Sequence, residues 1–116
     1  MATLIASHTV REPDGSLRKV QDIWSLDDES ASSNSDIIDT SGAKSVQFFG
    51  DVGITVRLPN TNASGVYITA ASTLYTAGVV DATASLGGSI SGDTMPARVI
   101  FALAASFTAG RVFINY

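Results

Sequence analysis

The sequence predicts an all-β chain: a single antiparallel β-sandwich or jelly-roll-like domain with an extended N-terminal arm or hairpin. Three observations lead there. Apolar and polar residues alternate with period two through most of the apolar stretches, which lines one face of a strand. Turn-forming Gly, Pro, Asn and Asp recur about every 8–12 residues, the spacing of short strands in a sandwich. The chain has 116 residues and no cysteine, long enough for one domain to bury a core without disulfides.

Residues 2–10 (ATLIASHTV) are β-leaning and rich in small side chains. Pro13 fixes φ at a corner, and Asp14-Gly15 suits the positive φ of a tight turn. Residues 3–12 and 16–24 therefore read as a hairpin. A short helix over 18–26 competes, because Val20, Ile23 and Trp24 fall at i, i+3 and i+4. Residues 25–36 (SLDDESASSNSD) are acidic and serine-rich and read as a linker or solvated loop. The expected division is 1–35, the arm or hairpin with its linker, and 36–116, the sandwich.

Residues 39–60 form the expected centre of that sandwich. Val46 and Phe48 alternate with Ser45 and Gln47, and Ile54, Val56 and Leu58 alternate with Thr55 and Arg57. The two runs read as a central strand pair, opened by Gly42, bent at Gly50 and Gly53, and closed by Pro59-Asn60. Residues 59–65 read as a loop, 66–70 as a strand, and 73–80 as a strand broken at Gly78. Residues 81–86 fit either strand or helix. Residues 87–92 (GGSISG) lack the Lys-Ser/Thr ending of a phosphate loop and read as a flexible loop. Residues 97–105 (ARVIFALAA) are apolar on both faces, so that strand belongs at a sheet centre or half in an interface. Residues 111–116 make a last strand.

Composition narrows the function. The net charge of −4 opposes nucleic acid as a partner, since phosphate binding needs clustered Lys and Arg. No apolar run reaches the roughly 18 residues of a membrane span, and the opening residues do not form a signal peptide pattern. From Pro59 to Tyr116 only Asp81, Asp93, Arg98 and Arg111 are charged. Either Ser and Thr coat this half, or other subunits cover it; charge depletion marks interface cores and favours the second.

Chemistry is sparse. His8 is the one histidine, and no strained nucleophile turn accompanies it, so a catalytic triad is not expected. Asp27-Asp28-Glu29 and Asp36 with Asp39 could offer oxygens to Ca²⁺, but no stretch follows the twelve-residue calcium pattern. They read better as a solvated acidic loop, or as turn caps at Asp36 and Asp39. Asn62-Ala63-Ser64 fits a glycosylation sequon by composition alone. No catalytic, cofactor or metal residue is assigned. Phe48 and Phe49 must point to opposite faces, so one of them lies outside the core or both faces are covered.

The stretch Ser35-Asp36-Ile37-Ile38-Asp39-Thr40-Ser41-Gly42-Ala43-Lys44-Ser45-Val46-Gln47-Phe48 resembles a recurring opening of small β-sandwich virion proteins of tailed bacteriophages. There an Ile-Asp-Thr-x-Gly turn leads into a Ser-Val-x-Phe strand, and Gly110 to Ile114 fits a closing strand of that kind. The chain departs from the pattern in its 59–65 loop and in residues 1–35. The resemblance implies a structural, non-enzymatic capsid cement or decoration protein on the virion exterior, assembled in the bacterial host cytoplasm. It implies a homotrimer that bridges neighbouring copies of the major capsid protein; the charge and the apolar run lengths are what speak against a nucleic acid or membrane partner. Leu4, Ile5 and Trp24 are the expected arm contacts. A phage tail, baseplate or fibre component, or a host-binding module, is the alternative; an enzyme or small-molecule-binding β domain comes third.

Overall fold

In a computed structural model the chain is all-β, with ten strands among the described residues. The described residues are 2–27, 29, 34–51, 54–74, 79–80, 87–91, 95–104 and 107–116. The strands are β1 (Thr3–Arg11), β2 (Leu17–Ser25), β3 (Ile38–Asp39), β4 (Ser45–Gly50), β5 (Ile54–Thr61), β6 (Tyr67–Leu74), β7 (Val79–Val80), β8 (Gly87–Ser91), β9 (Arg98–Leu103) and β10 (Gly110–Asn115). They form a six-stranded sheet in the order β1-β2-β10-β4-β8-β7 and a four-stranded sheet in the order β3-β9-β5-β6.

The pairing is nested. β5 pairs with β6, β4 with β8, β3 with β9 and β2 with β10, all antiparallel. A long hairpin rolled so that its successive pairs fall alternately on two sheets gives this order, which is the jelly roll. β9 also pairs with β5 and β10 with β4, which closes each sheet. β1 and the two-residue β7 are additions at the two edges of the larger sheet.

The core lies between the sheets. Phe48 and Val46 of β4 and Val112 and Ile114 of β10 meet Ile54 and Val56 of β5 and Phe101 of β9, all fully buried. The rings of Phe48 and Phe101 come from opposite sheets and lie 5.3 Å apart at a 48° tilt. Each side chain of this size contributes about 1.5–3 kcal/mol on burial, so this line of contact holds the layers together. Ile100, between Val99 and Phe101, points to the other face and is also fully buried. β9 is thus covered on both faces, at the centre of its sheet.

Four expectations change. β4 and β5 are not a hydrogen-bonded pair: each is internal to a different sheet, and the chain crosses the core between them. Their alternation requires only that each bury one face, which opposing sheets satisfy as well as adjacent strands do. The glycine-rich residues 87–91 are strand β8, not a loop. Gly87 and Gly88 stand opposite Phe49 and Phe48, and Ile90 is fully buried. Aromatic residues beside glycines offset the glycines' poor strand propensity. Pro59 does not end β5: it is buried and sits at a register shift, a position where a strand tolerates proline. The acidic segment is not free along its length. Leu26 is fully buried and donates its N–H to Gly110 O at 2.9 Å, while Ser35 N donates to Phe101 O at 2.8 Å.

The hairpin over residues 3–25 is present, and β2 is a strand where a helix competed. Its turn repeats at the β5–β6 connection. Glu12 N donates to Ser16 O and Gly15 N to Glu12 O; Asn62 N donates to Val66 O and Gly65 N to Asn62 O. Gly15 and Gly65 have φ of 90° and 79°, the left-handed geometry that closes a type I turn with a bulge. The expected Thr40-Ser41-Gly42 turn is present, with Gly42 at φ 78°. Strand 73–80 is described as the end of β6 and as β7 only. Residues 75–78 and 81–86 lie outside the described residues.

Candidate interaction surface

The β1–β2 hairpin is anchored at one end and projecting at the other. Residues 21–25 of β2 pair with 111–115 of β10. Tyr116 N donates to Val20 O at 2.9 Å, and beyond that point β1 is the strand that pairs with β2. Along β1 every residue but Ala6 is exposed. Of the large exposed apolar side chains, Leu4, Ile5, Val10 and Leu17 all belong to this hairpin.

A buried carboxylate fixes the anchored end. Asp22, 3% exposed, accepts hydrogen bonds from Ser7 Oγ at 2.6 Å, Lys19 Nζ at 2.8 Å and Tyr116 Oη at 3.0 Å. Burial pushes the Asp22 carboxyl up, but these three donors and the Lys19 charge outweigh it and hold it below the usual carboxylate range. Burial, and then the bond to Asp22, pushes the Tyr116 hydroxyl up to about 12. The Lys19 ammonium also lies 5.4 Å from the Tyr116 ring centroid. One acidic side chain therefore ties β1, β2 and Tyr116 together.

Of the three expected arm contacts, Leu4 and Ile5 are 43% and 51% exposed on β1. Trp24 differs. It stands opposite Leu4 on one side and Val112 on the other, and it packs against the core. Its indole Nε1 is buried without a hydrogen-bond partner, a cost of about 1–3 kcal/mol. Trp24 thus stands beside Leu4 on the neighbouring strand and is only partly buried.

A second apolar strip was not foreseen as a surface. On the outer face of the larger sheet Phe113 stands opposite Ile23, and its ring meets Phe49 edge-on at 5.8 Å. Phe48 is buried and Phe49 is 49% exposed, so the neighbouring phenylalanines do point to opposite faces. The alternation Val112-Phe113-Ile114 carried the same information for Phe113. Beside Phe49 is a shallow depression of about 360 Å³ that also includes Asp27, Asp51 and Arg111.

The polar groups of that depression are engaged within the chain. Arg111 Nη1 donates to Asp27 Oδ1 at 2.6 Å, and Gly110 N donates to the same oxygen at 3.0 Å. The Arg111 bond is the main reason the Asp27 carboxyl is lowered. Asp51 accepts from the Thr108 hydroxyl and from the N–H groups of Thr108 and Ala109. Gly110 is confined: a Cβ there would lie 2.9 Å from Phe49 O and 3.0 Å from the Phe107 ring. These residues hold the end of β10 against β4.

The other acids among the described residues have structural partners too. Asp39 Oδ1 accepts from Ser41 N and Oγ, Asp36 Oδ2 accepts from Ala2 N, and Glu29 Oε1 accepts from Asp36 N. Asp39 therefore caps its turn, whereas Asp36 holds the distant Ala2 N–H rather than a neighbouring turn, and Asp27 and Glu29 are bonded rather than merely solvated. Asn62 Oδ1 accepts from Ser64 N and Val66 N, shaping the β5–β6 turn. His8 is exposed on β1 opposite Gln21. Among the described residues no three His, Cys, Asp or Glu side chains gather as a metal site, and no helix is long and apolar enough to cross a membrane.

Comparison of the chain with protein-family models, with curated proteins and with solved structures gives no match.

Proposed function

We propose that this chain is a structural virion protein that cements or decorates a bacteriophage capsid by bridging neighbouring capsid subunits. The observation that carries the reading is the hairpin: a β ribbon rich in apolar side chains, with its β1 strand exposed on both faces, projecting from a jelly roll. Such a ribbon suits insertion between, or strand addition to, neighbouring proteins. The resemblance of residues 35–48 to phage virion β-sandwiches supports the same reading. So does the charge-poor half from Pro59 onward, which fits burial in an assembly.

The mechanism is mechanical. Binding to the assembled shell and not to free subunits stabilises the shell by mass action. Leu4 and Ile5 make the apolar contact, with Trp24 beside Leu4 on the neighbouring strand. No catalytic residue, cofactor or metal takes part. Undecorated capsids mixed with the protein are expected to bind it and to melt at a higher temperature. Absence of binding, or binding with no thermal gain, overturns the proposal. Localisation at the tail in labelled particles would favour the tail or host-binding reading instead.

A further inference from the structure

We propose that β1 pairs antiparallel with β1 of a second copy, joining two six-stranded sheets into one continuous sheet about a two-fold axis near His8. β1 pairs with β2 and with no other described strand. Its outward row of backbone N–H and C=O groups therefore runs along the edge as a template for another strand. The other long edge strand, β6, is less suited. Its ladder is interrupted between Asn60↔Ile68 and Pro59↔Ser72, and the Thr69 carbonyl is taken by Asn34 Nδ2.

The sequence of β1 is compatible with itself. Register irregularities fall between Leu4 and Ala6 and between His8 and Thr9. The second is an extra residue in β2, since His8 and Thr9 are consecutive while their partners, Gln21 and Lys19, are not. Residues 6–10 therefore run unbroken along the outer edge, with His8 at their midpoint. A two-fold axis there sets Ala6 opposite Val10 of the copy and Ser7 opposite Thr9 of the copy. Apolar then meets apolar and hydroxyl meets hydroxyl, the pairings that stabilise adjacent strands. No Asp, Glu, Lys, Arg or Pro occurs in residues 2–10, so the usual devices that keep edges apart are missing from this stretch.

Charge points to the same occupant. Residues 2–25 hold three bases (Arg11, Arg18, Lys19) and three acids (Glu12, Asp14, Asp22), whereas residues 26–116 hold four bases and eight acids. The hairpin is the neutral part of an acidic chain. Two copies repel one another through their bodies and not through their ribbons, which favours an approach hairpin to hairpin. The contact is two-fold and does not depend on the capsid proposal; a threefold ring needs another surface.

The test is the solution mass of the full chain by light scattering over a concentration series, for wild type, His8→Glu, His8→Lys and an equimolar mixture of the two variants. His8 is exposed, and far-UV circular dichroism checks that both variants stay folded. Wild type is expected to reach dimer mass. Each variant places like charges near the axis and is expected to weaken the dimer by about tenfold or more, the scale of a few lost cross-strand interactions. The mixture is expected to recover dimer mass, because the carboxylate introduced in one variant then faces the ammonium introduced in the other. A wild type that stays monomeric throughout overturns the proposal. So does an oligomer that both variants leave unchanged, or a mixture that recovers nothing. Capsid binding is read separately, so failure of either proposal leaves the other standing.

Discussion

β1 and β9 are built from similar material and end in opposite environments. TLIASHTVR and RVIFAL are both rich in apolar and small residues. β9 is buried on both faces between β3 and β5, while β1 is exposed on both faces at the edge of the larger sheet. The difference comes from the neighbours. Phe101 has the Phe48 ring across the core, whereas Leu4 has Trp24 beside it on the neighbouring strand and stays exposed. An apolar strand is a core strand only when the topology brings it two covered faces. When it does not, the strand is left as a surface for something else.

The largest way to break this contrast is Phe101→Ala. Phe101 is fully buried, and the change is expected to cost about 3–5 kcal/mol in urea unfolding, the usual range for emptying an aromatic core position. An intermediate effect is expected at the seam between ribbon and sandwich. Tyr116→Phe removes one donor to Asp22 and is expected to cost about 0.5–1.5 kcal/mol near neutral pH. The sign of its pH dependence follows from the shift. The Tyr116 hydroxyl, raised from 10.0 to about 12, holds its proton more tightly in the folded chain. Its stabilisation is complete below pH 10 and is lost as pH climbs toward 12. Unfolding midpoints measured across that window should fall for wild type and fall less for Tyr116→Phe. The smallest effect is expected at Ile5→Ala, with 51% exposure at the start. Stability should move by no more than about 0.5 kcal/mol, so a larger loss would show that β1 is structurally covered after all.

The apolar strands were legible in the sequence: β4 and β5 from clean alternation, β9 and β10 from their denser apolar runs. Which strands pair was not, because period two says which face is buried and nothing about what lies beside it. The pairing of Ser45 with Asn115 and Ser91 joins residues far apart along the chain. β8 was hidden for a related reason. Gly87 and Gly88 look like a loop until the aromatic side chains of β4 are set beside them. At the candidate surface, the exposure of Leu4 and Ile5 follows from an apolar run with nothing local to pack on. The half-buried place of Trp24 depends on Val112 and could not be read from residues 17–25. Nothing around Asp22 in the sequence marks it out; its role needs Tyr116, 94 positions away.

The rolled hairpin also sets an order in time. Its innermost pair, Thr61 with Tyr67, is separated by one short turn, while its outermost, Gln21 with Asn115, spans nearly the whole chain. Closing long loops costs entropy before any contact repays it, and chains dominated by such pairings fold in milliseconds to seconds rather than microseconds. On a ribosome, β2 emerges early and must wait for residues 111–115 before it can dock. Through that interval the apolar ribbon has no sheet to join, and the neutral hairpin is the part of the nascent chain most open to a wrong partner.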